Sequence, residues 1–103
     1  MRALLLSKLI VAICATSALA AELDRERLKH LVVQECGSCH GLVLKGGLGR
    51  PLTQDALAHF PQETVRDIIL DGIPGTPMPP WRPLLSENEA AAIAVMLKNG
   101  DIR

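Results

Sequence analysis

The chain is 103 residues long, carries 11 basic and 11 acidic side chains for a formal net charge of zero, and has one Trp, one Phe and no Tyr. A chain of this length forms one domain with a thin core, and small domains usually need a staple such as a disulfide or a metal. Even charge balance without any basic run argues against nucleic acid or an anionic membrane as partner. With so few aromatics, something other than side chains is expected to fill part of the interior.

The N-terminus reads as a secretory signal peptide over residues 1–20. Arg2 and Lys8 give a basic start, Leu9 to Ala15 is mostly apolar, and Ala18-Leu19-Ala20 supplies a small-x-small cleavage pattern. Cleavage is expected after Ala20, with Ala21 as the alternative, leaving residues 21–103 as the domain. The apolar run is too short, and too soon followed by Glu22 and Asp24, for a stable membrane span. An uncleaved anchor is the competing reading. A lipid anchor is disfavoured, because Ile13 precedes Cys14 where a small residue is wanted. Export implies a periplasmic location, and removal of Arg2 and Lys8 leaves a net charge of −2.

Next, Leu23 to Glu35 has helical spacing, with Leu28, Leu31 and Val32 on one face and Glu22, Asp24 and Glu26 at its start, where the helix dipole favours acids. It leads into Cys36. Gly41 to Pro51 reads as a glycine-rich loop. Thr53 is the expected N-cap of a short helix through Phe60, and Pro61 suits the first turn of the next. That helix carries Val65, Ile68 and Ile69 on one face and stops at Gly72. Five prolines between Ile73 and Pro83 forbid both helix and central strand. The last helix begins at a capping box, Ser86 with Glu89, presents Ala90, Ile93, Ala94 and Leu97 inward, and ends at Gly100. No strand pattern and no repeat is present, so the expected fold is all-α, with helices wrapped on a cofactor.

The chemistry sits in Cys36-Gly37-Ser38-Cys39-His40, the order and spacing of a c-type haem attachment site. Each thiol can form a thioether to a haem vinyl group, and His40 can then reach the iron. A structural zinc site needs a second Cys/His pair at similar spacing, whereas His30 and His59 are isolated. A thioredoxin-like pair needs a βαβ setting. A plain disulfide over a two-residue spacer makes a tight ring rather than a good staple.

Haem iron in electron carriers is commonly ligated by His and Met. The candidates for the second ligand are Met78, Met96, His30 and His59. Met78 lies in Pro77-Met78-Pro79-Pro80, where prolines hold the backbone away from any regular core face. Met96, on the last helix beside Leu97, reads as core or partly exposed packing. His30 is too close to Cys36 to reach the far side of a haem, and His59 reads as a helix-end histidine. Met78 is the expected ligand and His59 the alternative. Trp81 reads as a core aromatic or as a partner of a haem propionate. Lys45, Arg50 and Arg82 read as solvated charges, or as a weak positive rim that pairs propionates or steers an acidic partner.

A helix, Cys36-x-x-Cys39-His40, further helices, a Met78 loop and a terminal helix together resemble a small single-haem class I cytochrome c over the whole mature chain. The resemblance implies that the first and last helices cross and pack. It also implies that a backbone carbonyl after the motif accepts a hydrogen bond from His40 Nδ1. The family supplies that carbonyl from the Pro of Gly-Pro-x-Leu. Here the sequence is Gly49-Arg50-Pro51-Leu52, so Arg50 and Pro51 both remain candidates. More narrowly, Leu44-Lys45-Gly46-Gly47-Leu48-Gly49 and Pro74-Gly75-Thr76-Pro77-Met78-Pro79-Pro80-Trp81 resemble the cytochrome c-55X family of denitrifying bacteria. That resemblance implies one covalently bound haem c and a periplasmic one-electron carrier rather than an enzyme. Its implied partners are cytochrome cd-type nitrite reductase and an upstream electron donor. It also admits an accessory role in maturation of the reductase's specialised haem. A haem enzyme or sensor would require an open iron position.

Overall fold

Residues 13–27 hold no buried side chain, yet they lie within one unbroken helix, α1 (Arg2–Leu31). The structure, a computed structural model, describes residues 2–102, with side chains from Ile13 onward. The sequence predicts a helix only from Leu23. It starts earlier because the segment before Leu23 is rich in Ala and Leu, the best helix formers, and contains neither Gly nor Pro. No helix among the described residues is long and apolar enough to cross a membrane.

The helix then changes pitch. A π-helical turn, Val32–Cys36, links α1 to α2 (Gly37–His40). The loop from Gly41 leads to α3 (Gln54–Leu57), capped by Thr53, whose hydroxyl accepts from the Ala56 N–H. This helix stops before Phe60, shorter than the sequence predicts: the Lys98 ammonium donates to the Leu57 carbonyl (3.0 Å) and to the Phe60 carbonyl, taking up acceptors at the helix end. Pro61 is the N-cap of α4 (Gln62–Asp71) rather than a residue of its first turn. After the proline-rich loop, α5 (Glu87–Asn99) starts at the expected capping box, with both Ser86–Glu89 hydrogen bonds formed. No strand occurs among the described residues.

The core is built around α5, which packs against α1, α3 and α4. Leu28 and Val32 from the first helical segment, Val65, Ile69 and Leu70 from α4, and Ala90, Ile93, Ala94, Met96 and Leu97 from α5 are all buried. Ile68, expected on the inner face of α4, is half-buried, while Leu70 is 1% exposed. Each fully buried Leu, Val or Ile contributes about 1.5–3 kcal/mol. Two ion pairs tie α1 to the C-terminal part of the chain: Arg27 with Glu89, and Arg25 with Asp101 at 3.5 Å. The packing of first helix on last is therefore as the sequence implies. It places the Cys-x-x-Cys-His segment at one end of the helical core.

Candidate functional site

Cys36, Cys39 and His40 are carried by a single stretch of helix. Cys36 and Cys39 are three residues apart and so share a face. Both thiols are free; Cys36 is half-buried against the core and Cys39 is exposed. Burial, with Glu35 nearby, pushes the Cys36 thiol up to about 11, so it is a neutral thiol near pH 7. The π-helical turn ends at Cys36, and such turns inside α-helices recur at functional sites.

His40 is half-buried, and its Nδ1 lies 2.6 Å from the Arg50 carbonyl oxygen. A carbonyl only accepts, so Nδ1 carries the proton and Nε2 keeps a bare lone pair. Of the two carbonyls the sequence left open, Arg50 is the partner. The loop reaches His40 because it folds back over the motif: Gly46 N–H donates to the His40 carbonyl and Gly49 N–H to that of Cys39, each at 2.8 Å. Gly49 passes so close that a Cβ there would sit 2.7 Å from both Nδ1 and Cε1 of His40. Leu44 makes the bend at φ +59°, a conformation that costs a leucine about 1–3 kcal/mol. Its burial offsets that strain.

Met78 is positioned by separate contacts, on the connection between α4 and α5. It is half-buried, unlike Met96, which is a core residue as expected. The Ile73 N–H donates to the Met78 carbonyl at 3.3 Å, and the Thr76 hydroxyl accepts from the Met78 N–H at 3.3 Å while donating to the Ile73 carbonyl at 2.7 Å. Beyond Met78, the N–H groups of Trp81 and Arg82 donate to Ile69 and Leu70 carbonyls of α4, each at 3.0 Å. Trp81 packs half-buried against the core. His30 and His59 are both exposed.

Of the three cations read as solvated charges or as a weak positive rim, Arg82 and Arg50 engage neighbouring side chains. Arg82 forms a fork to Asp71, Nε to Oδ1 at 2.9 Å and Nη2 to Oδ2 at 3.1 Å, and Nη1 reaches Glu87 at 3.3 Å. Those bonds hold the Asp71 carboxyl below the usual carboxylate range. Arg50 Cζ lies 5.3 Å from the centroid of the Phe60 ring. Lys45 is exposed. Asp71, Phe60 and Lys98 escape sequence reasoning, because their partners are distant in the chain and obey no local spacing rule. The one available signal is Asp71 immediately before the helix-ending Gly72, with an arginine closing the following loop.

Among the described residues, no group of three or more His, Cys, Asp or Glu side chains is placed to hold a metal ion by itself. The donor set instead suits a haem attached through its vinyl groups. Two free thiols share a helical face, the adjacent ring has one bare nitrogen, and a glycine stands where any Cβ would displace that ring.

An all-α fold with this motif at the end of its first helical segment, and a methionine in a pinned loop before its last helix, defines a c-type cytochrome. Residues 24–96 match the family model described as cytochrome C oxidase, cbb3-type, subunit III. The chain is 54% identical over 89 residues to cytochrome c55X of Paracoccus denitrificans (strain Pd 1222), a match covering 84% of this chain and 86% of that one. It is 51% identical over 76 residues to cytochrome c55X of Pseudomonas aeruginosa PAO1, covering 74% of this chain and 64% of the relative. A solved structure named c-type cytochrome NirC superposes with a TM-score of 0.72 at 50% identity, covering 74% of this chain and 89% of that one. The chain belongs to this family of c-type cytochrome domains and, within it, to the cytochrome c55X group. Membership implies covalently attached haem c and electron transfer.

Proposed function

We propose that this chain is a periplasmic one-electron carrier in which Cys36 and Cys39 bind one haem c covalently. His40 Nε2 and the Met78 sulfur would hold its iron. The observation that carries this reading is the His40–Arg50 hydrogen bond, which leaves one bare nitrogen on a ring beside two free thiols. When bound, the haem supplies a reversible Fe(II)/Fe(III) couple.

The chain's own residues determine how that couple behaves. The Arg50 carbonyl fixes the tautomer of His40 and raises its basicity. The bonds involving Ile73, Thr76, Trp81 and Arg82 restrain the backbone of the loop that carries Met78. An iron held by both His40 and Met78 would offer no open site to a substrate, which favours a carrier over an enzyme.

Residues 1–20 act as a cleaved secretory signal. In support, the described side chains before Leu28 are all exposed, so removing residues 1–20 costs the core nothing among the described side chains. The electron acceptor is cytochrome cd-type nitrite reductase, supplied by an upstream redox donor; the similarity to cytochrome c55X and NirC supports this. Stopped-flow mixing of the reduced protein with such a reductase tests the assignment. Oxidation of this cytochrome with matching reduction of the reductase is expected, and no transfer at physiological concentrations contradicts the partner.

A further inference from the structure

We propose that Arg50, Phe60 and Lys98 form a positioning chain that fixes the carbonyl to which His40 is bonded, so that α5 helps set the reduction potential. The inference rests on the reading of His40 as an iron ligand. The acceptor carbonyl belongs to Arg50, a residue whose side chain is exposed, on a loop tied by backbone hydrogen bonds at Gly49 and Leu52. The Arg50 guanidinium lies over the Phe60 ring, with Cζ 5.3 Å from the centroid. Phe60 is steadied in turn. Its ring packs half-buried against the core, and the Lys98 ammonium donates to its carbonyl and, at 3.0 Å, to the Leu57 carbonyl. Lys98 follows Leu97, which is buried in the core, so its own backbone is fixed. The path thus runs from α5 through Lys98 to the Phe60 turn, through the ring to Arg50, and from the Arg50 carbonyl to His40 Nδ1.

A firmly held carbonyl strengthens the Nδ1–H bond and makes the imidazole more basic, which favours the oxidised metal. Loosening any member of the path weakens that bond and raises the potential. Arg50, Phe60 and Lys98 are therefore positioning residues.

The test uses the haem-loaded protein and two readouts: its reduction potential, and solvent exchange of the His40 Nδ1 proton followed by NMR in the reduced state. Arg50→Ala, Phe60→Leu and Lys98→Met are expected to raise the potential and to speed exchange roughly two- to fivefold, the scale of one exposed cation–ring contact. Arg50→Lys, which retains a cation, restores part of the protection. Arg50→Ala changes an exposed side chain, so it reports even if Phe60→Leu fails to fold. Lower melting temperatures with exchange and potential unchanged would overturn the chain and leave these residues purely structural. Absence of a haem ring-current shift on the His40 resonances of the parent protein would instead overturn the ligand reading, and the inference with it.

Discussion

Gly72 lies directly against the backbone of Met78: a Cβ at Gly72 would sit 2.6 Å from the Met78 carbonyl oxygen and 2.8 Å from the carbonyl carbon of Pro79. Gly72 also has φ +67° with ψ −169°, a region essentially reserved for glycine that a side chain enters at a cost of about 1–3 kcal/mol. One position thus both ends α4 and lets the proline-rich loop fold back across it. Gly72→Ala is expected to lower stability by at least that amount and to displace Met78. Thermal unfolding should show the loss, and the visible spectrum should show a high-spin fraction.

Gly49 plays the same part for His40. Because its Cβ would meet Nδ1 and Cε1 at 2.7 Å, Gly49→Ala must turn the ring or move the loop. Either change breaks the bond to the Arg50 carbonyl. The expected outcome is a raised reduction potential with Met78 still in place, measured by redox titration of the haem-loaded variant.

The Asp71–Arg82 fork closes the Met78 loop, joining the end of α4 to the residues just before α5. Hydrogen bonds from Arg82 lower the Asp71 pKa in the folded protein. A carboxyl lowered on folding contributes stability that is fully present above its unfolded pKa, about 3.9, and is lost as pH falls through the folded value. Glu89 is lowered as well, by the Ser86 backbone N–H and then by Arg27, and acts in the same direction. The melting temperature should therefore fall as pH drops below about 4. Asp71→Asn should flatten part of that slope and Glu89→Gln another part, in melting curves recorded across the acid range.

What the sequence makes legible here is local. The Cys36–Cys39–His40 spacing, the Thr53 cap, the Ser86–Glu89 box and the inner face of α5 all depend on residues within about one turn of each other, where one side chain constrains the next directly. The same holds for the rigidity around Met78, which five nearby prolines make plain. Contacts between distant residues are not legible in this way. Arg82 reads as a solvated charge or a rim cation until α4 brings Asp71 beside it, and no local spacing links Lys98 to the Leu57 and Phe60 carbonyls. The choice of Arg50 over Pro51 depends on how closely Gly49 passes the ring, which no motif records. The π-helical turn before Cys36 has no side-chain signature. The early start of α1 reflects the Ala- and Leu-rich composition of the N-terminal segment, which favours helix by propensity alone.

In the proposed site, His40 and Met78 would both hold the iron of a covalently bound haem. The most direct test is the visible spectrum of the ferrous protein before and after carbon monoxide, with Met78→Ala beside it. The expected result is a low-spin parent spectrum that carbon monoxide leaves unchanged, and a high-spin variant that binds the gas at once and has a lower reduction potential. Immediate binding by the parent, or a variant spectrum identical to the parent's, would contradict it.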